Sequence, residues 1–331
     1  MRPKVAIVAG ASGYIGRVLC EELLLQGWSV YGIYKSQESC VDIPCHKRFH
    51  TVVSTDNHYY GPLSDFKEAD YDTIYGADAY FDLAWNTKNR TNPHKQVVCV
   101  AEALGLFMGT RLKDLNVRTF VFANSLLAFA YKANVQGMEF DRETAFYGRS
   151  KSFAADIMAA YSAYADTPVF VEVILPNVYG PRSNARLLDN VIDTFMKGHT
   201  FCFKSTGEQI YDFVYETDAA KAIIIAATKS PKSGPSWYLV NQHSGIRLKA
   251  FIRVVHDIIG RGSYKFGEET ITDHLGVQGL RGFPNIRELG WEPAFTFVNG
   301  IEIVKKNREE KHSWLGRIFH TVKQKLMAVF E

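Results

Sequence analysis

The stretch from Val5 to Gly16 constrains this chain more than any other. Val5-Ala6-Ile7-Val8-Ala9 is a short apolar run, which suits a strand buried on both faces of a parallel sheet. Gly10-Ala11-Ser12-Gly13-Tyr14-Ile15-Gly16 follows it, and Arg17 to Gln26 then carries apolar residues at Val18, Leu19, Leu23 and Leu24. That is helical spacing, and Gly27 ends the helix. Glycines between a buried strand and a helix allow a tight turn whose backbone can approach an anion. The helix N-terminus adds N–H donors and the positive end of a dipole. The spacing is Gly-x-x-Gly-x-x-Gly rather than the standard Gly-x-Gly-x-x-Gly, but it stands where a phosphate-binding turn for a dinucleotide belongs.

The rest of the first half keeps the strand–helix rhythm. Ser29 to Tyr34, Ala77 to Ala84, Arg118 to Ala123 and Val169 to Leu175 read as strands. Val97 to Leu115 reads as one long helix loosened at Gly105 and Gly109, and another helix follows Tyr147. Alternation of this kind predicts an α/β fold, a Rossmann-type doubly wound parallel sheet with right-handed crossovers. After Pro176 the strands shorten, with helices expected over Leu187 to Lys197, Thr217 to Thr228 and Leu248 to Ile259. The expected division is a dinucleotide-binding domain over 1–176, a smaller substrate-binding lobe over 177–304 with elements returning to the main sheet, and a C-terminal helix over 305–331. That last helix has an apolar stripe at Leu315, Ile318, Phe319, Val322, Leu326 and Phe330, with Arg317, Lys323 and Lys325 on other faces. Docking on its own domain or on a second subunit is the favoured reading, and a membrane-surface or partner contact is the alternative.

Composition narrows the class. In 331 residues, 47% hydrophobic and 22% charged residues fit a soluble protein with a sizeable core. A net charge of +3 is too small to argue for nucleic acid, and no apolar run reaches the length of a transmembrane span. The start, Met1-Arg2-Pro3-Lys4, has no signal-peptide layout. Five scattered cysteines form no Cys-x-x-Cys motif, and Cys40, Cys45, His46 and His50 match no standard zinc spacing. Free thiols in a reducing cytoplasm, no metal, and a homodimer are expected.

Tyr147 and Lys151 lie four apart on the predicted helix and so share a face. A nearby ammonium favours the phenolate, which predicts a phenol able to exchange protons near neutral pH. The same spacing at Tyr31 and Lys35 falls on a strand, where four positions span about 13 Å and no tight pair forms. That strand ends Ile33-Tyr34-Lys35-Ser36 without a carboxylate. Lys35 can hold a ribose 2′-phosphate, so NADP is expected in preference to NAD.

Together these motifs resemble the extended short-chain dehydrogenase/reductase family of nucleotide-sugar epimerases, dehydratases and ketoreductases, over about Val5 to Gly300. The glycine turn comes first, then Leu83-Ala84 at a strand end, Phe120 to Ser125, Tyr147 to Lys151, the Leu175-Pro176-Asn177-Val178-Tyr179-Gly180-Pro181-Arg182 loop, Asp212 to Ala219, and Leu289-Gly290-Trp291-Glu292-Pro293. The resemblance implies Ser125, Tyr147 and Lys151 as catalytic residues. It implies cofactor contacts from Gly10, Ser12, Gly13, Tyr14, Ile15, Gly16, Lys35, Leu83, Ala84, Tyr147, Lys151 and Pro176. Substrate contacts are implied from Ser125, Asn177, Arg182 and Tyr211.

Four positions depart from the family pattern. Leu126 and Leu127 stand where dehydratases carry acidic residues, which disfavours elimination. Asp82 replaces a His before Leu-Ala, and Tyr211 replaces an Arg that grips the nucleotide diphosphate. Lys88 and Arg90 are the nearby loop charges able to approach a phosphate. The expectation is an NAD(P)-dependent nucleotide-sugar epimerase or 4-ketoreductase of carbohydrate biosynthesis. The alternatives are a reductase of a small non-sugar ketone and a silent dinucleotide-sensing binding protein.

Overall fold

The structure is a computed structural model that describes residues 2–36, 40, 44–53, 70–87, 90–132, 142–165, 168–183, 186–242, 246–269 and 283–311. The predicted amphipathic stripe beyond Lys311 and the loop residue Lys88 lie outside them.

The first half runs β1 (Val5–Ala9), α1 (Tyr14–Leu25), β2 (Ser29–Tyr34), β3 (Phe49–Val53), α2 (Tyr71–Ile74), β4 (Ala79–Asp82), α3 (Pro93–Met108), α4 (Arg111–Asp114), β5 (Thr119–Ser125), α5 (Leu126–Lys132), α6 (Arg142–Tyr164) and β6 (Val169–Leu175). The second half runs β7 (Asn177–Tyr179), α7 (Leu187–Met196), β8 (Thr200–Cys202), β9 (Ile210–Tyr211), β10 (Phe213–Tyr215), α8 (Glu216–Lys229), β11 (Ser236–Leu239), β12 (Ile246–Arg247), α9 (Leu248–Ile259) and β13 (Ser263–Lys265), then a last helix over 297–311.

Among the described residues, seven parallel strands form the sheet in the order β11-β6-β5-β4-β1-β2-β3. The winding reverses between β1 and β4, which opens a crevice at their carboxyl ends. β1 is buried throughout, and its side chains alternate between two layers. Ala6 and Val8 join the apolar layer with Val18, Leu19 and Leu23 of α1. Val5, Ile7 and Ala9 join the layer under α3 and α6. The single helix expected from Val97 to Leu115 is two, α3 and α4. Asn92 caps the start of α3 by accepting from the Lys95 N–H, with Pro93 in the first turn, and the helix stops at Gly109.

The second half has its own apolar core around Tyr179, Val191, Ile192, Phe195, Phe213, Phe251 and Phe297. Two of its elements return to the sheet: α8 packs on α1, and β11 pairs parallel with β6. Buried Trp291 donates to the Asp218 carbonyl at 3.0 Å, and the Asp218 carboxylate accepts from the Ala294 and Phe295 N–H groups at 3.1 and 3.0 Å. These bonds tie the closing Leu-Gly-Trp-Glu-Pro segment to α8. Among the described residues no helix is long and apolar enough to cross a membrane.

Candidate active site

The glycine turn is shaped by close approach. Gly10 has a left-handed φ of +77°, and a Cβ there would lie 2.9 Å from the Leu83 carbonyl carbon and 3.0 Å from the Ala84 nitrogen. The end of β4 therefore closes against the turn. A Cβ on Gly16 would lie 2.1 Å from the Gly10 oxygen, so α1 starts as near the turn as only glycine permits. Gly13 donates to the Gly10 carbonyl at 2.9 Å and occupies the N-cap with no side chain to satisfy the first-turn N–H groups. This backbone cradle, with Ser12 at its rim, fits a dinucleotide pyrophosphate. Tyr14 and Ile15 turn their side chains into the core, so it is their backbone that borders the turn. The Tyr14 phenol is buried beside Glu216, and burial raises it far above its ordinary pKa. Lys35 is exposed directly beyond β2.

Ser125, Tyr147 and Lys151 come together at the carboxyl end of β5. Tyr147 is buried on α6 and shares a side-chain hydrogen bond with Ser125, whose Oγ also accepts the Leu127 N–H at 3.3 Å. Lys151 is 5% exposed. Its Nζ donates to the Ala123 carbonyl at 2.7 Å and lies 4.9 Å from the Trp85 ring, 5.2 Å from Phe122 and 6.0 Å from Tyr147.

Burial lowers Lys151 to about 8, opposed by the nearby Asp82, Cys99 and Glu172 side chains. Burial raises Tyr147, opposed by the Ser125 bond and by the positive charges of Arg186 and Arg90. The expectation that Lys151 lowers the phenol is thus corrected. The ammonium is engaged by the Ala123 carbonyl, and desolvation dominates at the phenol. Burial thus holds the phenol above its ordinary value, protonated at neutral pH.

The remaining expected site residues divide. Pro176 is buried at the end of β6. Asn177 is exposed, and its N–H and Nδ2 both donate to the Asp212 carbonyl, at 3.2 and 3.3 Å. Arg182 is drawn away: its guanidinium meets Glu21 of α1 at 2.5 Å and Glu216 at 3.8 Å. Arg186, which the motifs did not single out, stands 5.1 Å over the Tyr14 ring at the N-cap of α7. Tyr211 stacks on Phe213 at 5.7 Å, and its phenol is raised by burial and opposed by Arg90. Arg90 and Arg186 therefore bring positive charge to the Tyr147 side of the crevice.

Residues 6–239 match the model of the NAD dependent epimerase/dehydratase family. The chain is 26% identical over 319 residues to the CDP-abequose synthase of Salmonella typhimurium, covering 91% of this chain and 97% of that protein. Among solved structures it is similar to the Thermotoga maritima UDP-glucose 4-epimerase with UDP-glucose, at a TM-score of 0.65 and 16% identity over 93% of this chain and 99% of the other. It is also similar to the Bordetella bronchiseptica enzyme WbmF in complex with NAD+, at a TM-score of 0.68 and 17% identity over 97% of each chain.

Proposed function

The chain belongs to the NAD dependent epimerase/dehydratase family, and on that premise we propose that it is an NAD(P)-dependent nucleotide-sugar epimerase or 4-ketoreductase, with 4-ketoreduction the better supported. One observation carries this reading: Ser125, Tyr147 and Lys151 converge beside the glycine turn, and burial keeps the Tyr147 phenol protonated. A buried phenol with its proton in place suits delivery to a ketone oxygen. Ser125 orients that oxygen, and Tyr147 gives the proton. When bound, the nicotinamide group supplies or accepts the hydride.

The residues that would hold the dinucleotide are Gly10, Ser12, Gly13, Tyr14, Ile15 and Gly16 through their backbone, Leu83, Ala84 and Pro176 beside them, and Lys151 at the ribose. Lys35 supports NADP over NAD by offering a cation to a 2′-phosphate. Asn177 would meet the sugar or diphosphate. Arg90 and Arg186 would supply the charge that Tyr211 lacks, because Arg182 is bound by Glu21 and Glu216. Leu126 and Leu127 leave no carboxylate for elimination next to Ser125, which disfavours dehydration.

Incubation with NADPH, NADH or NAD and a panel of CDP-, UDP- and dTDP-linked sugars and keto-sugars tests the reading. Loss of reduced-nicotinamide absorbance with a keto-sugar is expected. Turnover of no nucleotide-linked sugar, with reduction of a free small ketone, would replace it by the second reading, which the Tyr211 substitution favours. A homodimer through α3 and α6 is part of the proposal. The two helices pack side by side and leave Val97, Val98, Met108, Phe146 and Phe153 exposed. Phe153→Asp should then sediment as a monomer where the parent chain sediments as a dimer.

A further inference from the structure

Two buried carboxylates lie under the catalytic lysine, and the acid/base reading leaves them unused. Parallel register places Asp82 of β4 opposite Phe122 of β5, and Phe122 opposite Glu172 of β6. Tyr80, Phe120, Phe122 and Phe170 all join the apolar layer under α3 and α6. Asp82 and Glu172 stand two residues beyond Tyr80 and Phe170, so they face that same layer. They are 2% and 1% exposed. α6 lays Lys151 over this row, with Nζ 5.2 Å from the Phe122 ring.

Both carboxylates are fixed in place. Asp82 Oδ1 accepts the Ala84 N–H at 3.1 Å, beside the glycine turn. Glu172 Oε1 accepts from Asn124 Nδ2 at 2.6 Å, and Asn124 Oδ1 accepts the Ser125 N–H at 2.8 Å. The two anchors therefore reach the two ends of the site, the cofactor turn and the catalytic serine.

We infer that Asp82 and Glu172 are positioning residues, a pair of fixed counter-charges flanking Phe122 that hold the Lys151 ammonium charged at the end of β5. A cation in a dry interior sheds its proton unless opposite charge is close. Asp82 puts a carboxyl group on that face in place of an imidazole, which gives a physical role to that departure. The titratable groups facing Lys151 are Asp82 from β4, Glu172 from β6 and Cys99 from α3; the two carboxylates favour its protonated form, and burial raises the Cys99 thiol. Tyr147 is its neighbour on α6, with Arg90 and Arg186 acting on that phenol from the crevice. The functional weight of this charge rests on the reading of Lys151 as the cation that grips the cofactor ribose.

Asp82→Asn and Glu172→Gln test it, singly and together. Each keeps an oxygen to accept its hydrogen bond and loses only the charge. The protein is labelled with 13Cε lysine and titrated by NMR, the Lys151 signal being identified by its loss in Lys151→Met. The parent midpoint is expected at about 8. Asp82→Asn should lower it by about one unit, Glu172→Gln by less, and the pair by more than either. Asp82→Glu should restore it, and the alkaline loss of NADPH binding should move with the midpoint in every variant. A midpoint that stays put in natively folded Glu172→Gln and Asp82→Asn overturns the inference. The NMR readout needs no turnover. Shifted midpoints in a protein that turns over no sugar would sink the proposed function and leave the counter-charges standing, whereas turnover with fixed midpoints would do the reverse.

Discussion

Raising the pH from 7 to 9 should discharge Lys151 while leaving the Tyr147 phenol protonated. Burial lowers the lysine to about 8 and raises the tyrosine above its ordinary value of 10.0. At pH 7 about 90% of Lys151 then carries its charge, and at pH 9 about 10%. If the charged lysine is the working form, kcat/KM for keto-sugar reduction falls about tenfold over those two units and about tenfold again by pH 10, with no second break from Tyr147 below pH 10. Initial rates of NADPH oxidation at low substrate, from pH 6 to 10, read this directly. Lys151→Arg should lower the rate but erase the limb, because a guanidinium stays charged above pH 12.

The same group makes a stability claim whose sign is fixed. A lysine held below its unfolded value leaves the unfolded chain with the extra proton between about pH 8 and 10.4, so its contribution to stability rises with pH across that window, by at most about 3 kcal/mol. A rate flat to pH 10 in the parent protein, or a limb that survives in Lys151→Arg, would refute the assignment.

Three further outcomes are expected. Tyr147→Phe should lose about 10²- to 10⁴-fold in kcat with dinucleotide binding and melting temperature retained, and a loss under tenfold would contradict the proton-donor role. Gly10→Ala should destabilise the fold by about 1–2 kcal/mol from the left-handed backbone alone, with a further loss from the Cβ driven against Leu83. Calorimetric dinucleotide affinity should collapse in that variant, and parental affinity would contradict the cradle. Lys35→Ala should weaken NADPH more than NADH, and equal changes would remove the case for a 2′-phosphate contact.

What the sequence revealed followed its periodicity. β1, β2, β6 and α9 were legible because apolar residues recur at strand or helix spacing over enough positions to declare a face. β3 was hidden because Phe49-His50-Thr51-Val52-Val53 lies on the sheet edge, half-buried, with polar residues inside it. β11 is only Ser236-Trp237-Tyr238-Leu239, too short to show a period. α5 begins straight from β5 with no punctuating cap. The cluster of Ser125, Tyr147 and Lys151 was readable because each sits inside a contiguous motif. Arg182 went elsewhere because its fate is decided by Glu21 and Glu216, which only the fold brings to it. Asp82 and Glu172 gain their meaning from strand register, a relation between segments that no local pattern carries.

The return of α8 and β11 to the sheet sets the order in which this chain can fold. When synthesis has passed Leu175, β6 still has an open edge and α1 still lacks the helix that covers it. Both gaps close only after the whole of β7 to β10 has been made. The nascent chain must therefore carry an unfinished cofactor half, with an exposed strand edge, through that interval. Contacts of such large sequence separation slow folding. The Trp291–Asp218 latch, which joins the closing segment to α8, then belongs to the last event of that sequence.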